Sequence, residues 1–221
     1  RGVSRFSLGL LFLFIRNNKK MSHFSTSLLS ELEAVNIMLR AIGESSVSSL
    51  TAATTVEVTL AKNTISDVNK EVQQKGWHFN TEWDVTITQD SNNELPLGSN
   101  IVSIYSPSNL ITMRGKSGGM YVYDLENNTF TWSKSITDAV VIKLLDFENI
   151  PQTARNYIVA KAARIFQEEV IGQVSAETVN RQEEMEAYAD LLDDEGERSG
   201  FNIGFGTVDM FNTTKLHRKL W

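Results

Sequence analysis

Gln73-Gln74-Lys75-Gly76-Trp77-His78-Phe79-Asn80 constrains this chain more than any other stretch. Ahead of it, Val58, Ala61, Ile65, Val68 and Val72 recur at spacings of three and four, which predicts one apolar stripe along a helix. Gly76 sits where a left-handed helix end belongs, because glycine has no Cβ to clash there. Beyond it, Trp77 and Phe79, then Val85 and Ile87, follow the period of two expected of a strand. Packing therefore changes from helix to sheet within one residue, and Trp77 and Phe79 are expected to be buried at that seam.

The periodicity divides the rest. One helix is expected at 31–42, with Ser30 and Glu33 forming a capping box, Gly43 ending it, and Leu32, Val35, Leu39 and Ile42 on its apolar face. A second is expected at 54–75. Short strands are predicted at 83–89, 101–106, 110–114, 119–124, 129–133 and 139–145, separated by Asn-, Gly- and Ser-rich turns. Residues 119–124 and 129–133 flank Asn127-Asn128 and are expected to form a hairpin. Helices resume with Pro151 at the first helical position, run to Ile171, and resume after Ser175 as far as Glu195. From Gly196 the pattern breaks. The predicted class is α+β: a four-helix bundle with an inserted antiparallel β region and an extended C-terminal tail. The divisions are 1–20, 21–76, 77–150, 151–197 and 198–221.

Residues 8–15 read LGLLFLFI, too short for a membrane span, which needs about 20 apolar residues. Basic residues follow this run, and no small-residue cleavage site appears. We expect Met21 to be the natural start and 1–20 to be upstream sequence; the alternative is a membrane-seeking arm. Of 21 basic and 27 acidic side chains, 16 basic and all 27 acidic ones lie after residue 20, a net −11 there against −6 overall. Gripping a phosphate backbone takes many Lys and Arg contacts, so sequence-specific DNA binding is not expected, whereas passage of DNA without adhesion is compatible.

No catalytic constellation emerges. Arg114-Gly115-Lys116-Ser117 lacks the earlier glycine of a phosphate loop, with Leu110 in its place, and reads as a β-turn. His23, His78 and His217 are scattered singly, without metal or nucleophile spacing, and read as surface or packing residues. Asp193-Asp194-Glu195 lacks EF-hand spacing and reads as a solvated helix end. Its carboxylates oppose the helix dipole, which leaves room for a basic partner. Trp77, Phe79, Trp83, Tyr121, Tyr123 and Trp132 read as core rather than a base-stacking platform, since no Lys/Arg groove accompanies them. There are no cysteines. No enzyme activity, cofactor or metal is expected.

Five segments in order then carry a resemblance: ELEAVNIMLRAIGE at 31–44, NKEVQQKGWHFN at 69–80, GGMYVYD at 118–124, LDFENIPQTARNYIVAKAARIFQEEVIG at 145–172 and QEEMEAYADLLDDEGERSGFN at 182–202. Together they resemble the tail tubular protein A family, the head–tail adaptors of short-tailed phages. The likeness spans about 28–205. It departs at 1–20, at Ser45-Ser46, where the family tends to have prolines, and after about Asn202. The resemblance implies a structural virion protein, a dodecameric ring between the portal protein and the tail nozzle that extends the DNA channel and supports tail fibres. It implies assembly in the host cytoplasm, no membrane and no sequence-specific DNA contact. Phe201, Phe205, Phe211 and Trp221 are the expected partner interface. Glu183, Glu184 and Glu186 are expected to face the channel or a neighbouring subunit. The runner-up is an unrelated helical binding or chaperone-like module with a β insertion.

Overall fold

A computed structural model describes residues 28–51, 55–172 and 177–198. In chain order these form α1 (Glu31–Ala41), α2 (Val56–Gln73), β1 (Thr81–Ile87), β2 (Pro96–Leu97), β3 (Ile101–Tyr105), β4 (Ile111–Lys116), β5 (Gly119–Asp124), β6 (Ile136–Lys143), a 3-10 turn (Phe147–Asn149), α3 (Gln152–Ile171) and α4 (Glu177–Arg198). The class is α+β, with four helices and two small antiparallel sheets of order β1-β6-β3 and β2-β5-β4.

Local chemistry sets the helix ends. Glu33 N–H donates to Ser30 Oγ at 3.3 Å while Ser30 N–H donates to Glu33 Oε2 at 2.9 Å, closing the capping box. At the other end, Glu44 N–H reaches Leu39 O at 2.9 Å and Gly43 N–H reaches Arg40 O at 3.1 Å, with Gly43 at φ 84°. That paired closure satisfies carbonyls that the helix leaves open.

Two cores result. The first joins Val35, Met38 and Leu39 of α1, the whole predicted stripe Val58, Ala61, Ile65, Val68 and Val72 of α2, Ile158, Ala162 and Phe166 of α3, and Leu191 of α4. Helix α3 packs against each of the other helices, whereas α4 rests chiefly on α3. The second core lies between the sheets and contains Ile87, Leu95, Val122, Ile136, Ala139 and Val141.

Four local expectations are corrected. The hairpin partner of β5 is β4, with Lys116 opposite Gly119. Ser117 at φ 50° and Gly118 at φ 83° give this tight turn the positive angles that match strand twist. Residues 129–133 make only the isolated bridges Asp124–Thr129 and Glu94–Thr131. Pro151 is the N-cap, one position ahead of the first helical residue. Helix α4 continues through Gly196 to Arg198.

Candidate functional site

The junction read first from the sequence is a buried polar seam. Gly76 has φ 75°, which favours glycine, and a Cβ there would come 2.6 Å from Ile142 Cδ1, so a larger residue would also have to displace that side-chain end. Trp77 is 6% exposed, and its indole N–H donates to Val72 O at 2.7 Å. Its backbone N–H donates to Asn80 Oδ1 at 2.8 Å. Asn80 Nδ2 in turn donates to Gln73 O and Lys143 O, each at 2.8 Å. Gln73 is completely buried. Its Oε1 accepts from Leu145 N–H at 2.8 Å and its Nε2 donates to Leu145 O at 2.8 Å, as a neighbouring strand would. Asn69 Oδ1 accepts the second Nε2 hydrogen at 2.8 Å. Among the described residues no buried side-chain polar atom lacks a partner.

Helix α4 closes over one edge of this seam. Glu195 accepts from the His78 backbone N–H at 3.0 Å and lies 2.6 Å from His78 Nδ1. Asp194 accepts from Thr153 Oγ1 at 2.9 Å and from Arg198 Nε at 2.5 Å. The Arg198 bond is the main reason the Asp194 carboxyl is held below its ordinary value; partial burial opposes it and the Thr153 bond assists. The acidic helix end that looked open to a basic partner is thus engaged by His78 and Arg198 of its own chain.

The three nominated glutamates separate. Glu184 turns inward, where its Oε2 accepts from Arg164 Nε at 2.5 Å, and Arg164 Nη1 donates to Glu168 at 2.9 Å. Glu183 and Glu186 face solvent, together with Asp190, Asp193 and Glu197. These five recur at spacings of three and four, so they form one acidic ridge along the side of α4 away from α3. The spacing was visible in the sequence and would have excluded Glu184. Phe201, Phe205, Phe211, Trp221, His23, His217 and Ser175 lie outside the described residues.

The remaining motifs are structural. Lys116 of the glycine turn pairs with Glu94, and Arg114 stacks 3.7 Å from the centre of the Tyr123 ring. Tyr123 meets Phe130 edge-on at 4.9 Å, and the Trp132 indole donates to Val122 O at 3.3 Å. Trp83 alone among these aromatics stands 71% exposed. Among the described residues no group of three or more His, Asp or Glu could hold a metal, and no helix is long and apolar enough to cross a membrane.

The arrangement is a hydrogen-bonded joint between helices and sheets beside a helix whose exposed side carries carboxylates. No curated protein matches the chain. Residues 32–201 match the family described as tail tubular protein. The match takes in α1, both sheets and α4, and therefore the seam and the acidic ridge. The chain belongs to the tail tubular protein family, structural components of the phage tail.

Proposed function

We propose that this protein is the head–tail adaptor of a short-tailed phage. Twelve copies form a ring that joins the portal protein to the tail nozzle, continues the DNA channel and carries the tail fibres. The ring assembles in the host cytoplasm, with the four helices acting together as a bundle. Residues beyond Arg198, with Phe201, Phe205, Phe211 and Trp221, supply the contact to a partner.

The observation that carries this reading is the ridge Glu183, Glu186, Asp190, Asp193 and Glu197. Carboxylates repeated along an exposed helix repel phosphates instead of exchanging counterions with them, so DNA slides past without being held. On this reading the ridge lines the bore.

The test is phage carrying Glu183→Gln, Glu186→Gln and Asp190→Asn. Particles form normally, and ejection followed by a DNA-binding dye slows, most at low salt. Ejection at the parental rate in low salt removes the channel assignment. Failure of purified protein to co-assemble with portal rings removes the adaptor assignment itself.

A further inference from the structure

Trp83 lies on β1, an edge strand of the β1-β6-β3 sheet. Glu82 stands opposite Val141 and Val85 opposite Ala139, so Trp83 and Asp84 share the place opposite Val140. This is a bulge, and Asp84 at φ 53° takes the left-handed conformation that lets it form. Bulges re-aim side chains, and here the result is a tryptophan 71% exposed. On the far side of β6, Tyr105 pairs with the same Val140 and is 44% exposed. Trp83, Val140 and Tyr105 therefore lie side by side across three strands as an apolar, aromatic patch. Tryptophan and tyrosine are the residues most enriched where a surface is meant to be covered.

The occupant is indicated by where the described chain stops. Its last helical turn is tied next to this sheet, because Glu195 is bonded to His78, only five residues before Trp83. Beyond Arg198, Phe201, Ile203 and Phe205 alternate with Asn202, Gly204 and Gly206, a period of two that gives an extended segment one apolar side. Residues 201–205 carry no charge, so covering them desolvates no ion. From Arg198 to Phe205 the chain can span roughly 25 Å, and from His78 to Trp83 roughly 17 Å, so the reach suffices. Tethering supplies a local concentration on the order of millimolar, which favours a chain's own segment over that of a second copy.

We propose that residues 201–205 dock on the β1-β6-β3 sheet of their own chain, with Phe201, Ile203 and Phe205 covering Trp83 and Tyr105. The bulge interrupts the open edge of β1, so the segment is held by its side chains across the face and not by a continued ladder. The docking does not depend on the adaptor assignment; it takes Phe201 and Phe205 out of the partner contact proposed above and leaves that contact to Phe211 and Trp221.

Acrylamide quenching of the full chain tests this. Trp221→Phe removes the tail indole, and the same chain with Trp83→Phe supplies the background, so the difference isolates Trp83. Trp83 is expected to be shielded at every protein concentration, down to dilute monomer. Adding Phe201→Ser and Phe205→Ser should raise its quenching constant several-fold with an unchanged circular dichroism spectrum. Free quenching in the parent chain overturns the proposal. So does shielding that survives the serine substitutions, or that appears only as protein concentration rises, which would assign the cover to a second copy.

Discussion

His78 Nδ1 lies 2.6 Å from Glu195 Oε2, across 117 residues of sequence. The same carboxylate also receives the His78 backbone N–H, so one side chain clasps both parts of the residue that follows Trp77. Replacing Glu195 with alanine should cost about 1–2 kcal/mol, since hydrogen bonds to a charged group are strong but this one is partly exposed. Urea unfolding gives the loss, and hydrogen exchange should quicken first in the last turns of α4.

Gln73→Leu should be more damaging. Leucine fits the volume but leaves Leu145 N–H and Asn69 Oδ1 without their Gln73 partner in a largely buried seam. The expected loss is about 2–4 kcal/mol, read from the shift in the denaturant midpoint.

At Gly76 two causes are superposed and can be separated. Gly76→Ala should destabilise by about 1–3 kcal/mol through the positive φ and the close approach of Ile142 Cδ1. Ile142→Val removes that carbon. In a double-mutant cycle the pair should couple favourably by about 0.5–1 kcal/mol, leaving the backbone share. Zero coupling would show that conformation alone sets the requirement.

Adjacent glutamates of α4 should behave differently. Glu184→Ala takes a carboxylate from Arg164 at the α3–α4 seam and should cost about 1–2 kcal/mol, whereas Glu183→Ala on the exposed ridge should stay within about 0.5 kcal/mol. Thermal melts of the two variants side by side give the comparison.

Acid should loosen α4. The folded Asp194 carboxyl titrates below its ordinary 3.8, principally because of Arg198. Its contribution is therefore complete above 3.8 and is lost as pH falls through the lower folded value. Asp194→Asn should be less stable than the parent near neutrality but should show a shallower decline below about pH 4 in chemical denaturation.

What could be read from the sequence follows the reach of each interaction. The Ser30–Glu33 box and the Gly43 and Gly76 helix ends lie within a few residues of the groups they serve, and each is where the pattern puts it. The α2 stripe was equally plain, because burial repeats with the helical turn. The β5 hairpin was misread because alternation identifies a strand without naming its partner. The Ser117–Gly118 turn, with both φ angles positive, decides that pairing in favour of β4. Two-residue β2 is too short to carry a period.

The candidate site was legible only in part for the same reason. Glu183 and Glu186 could be nominated from charge and helical spacing, but Glu184 is withdrawn by Arg164 on another helix. The seam was located by Gly76 and Trp77, yet its bonds run from Gln73 to Leu145 and from His78 to Glu195, and no local pattern reports a partner that far away. Gly196 suggested a break, but its helix is pinned on both sides by Asp194, Glu195 and Arg198.

The side chains that stitch α2 to the end of β6 and to Leu145 just beyond it are Asn69, Gln73 and Asn80, all carboxamides. A carboxamide keeps the same charge and the same donors from strong acid to strong base. The polar ties of helix α4, at Glu184, Asp194 and Glu195, are instead made by ionisable groups. The two attachments therefore answer differently to acid: protonation of Asp194 weakens a tie of the last helix, while the carboxamide joint between helices and sheets keeps every bond it has.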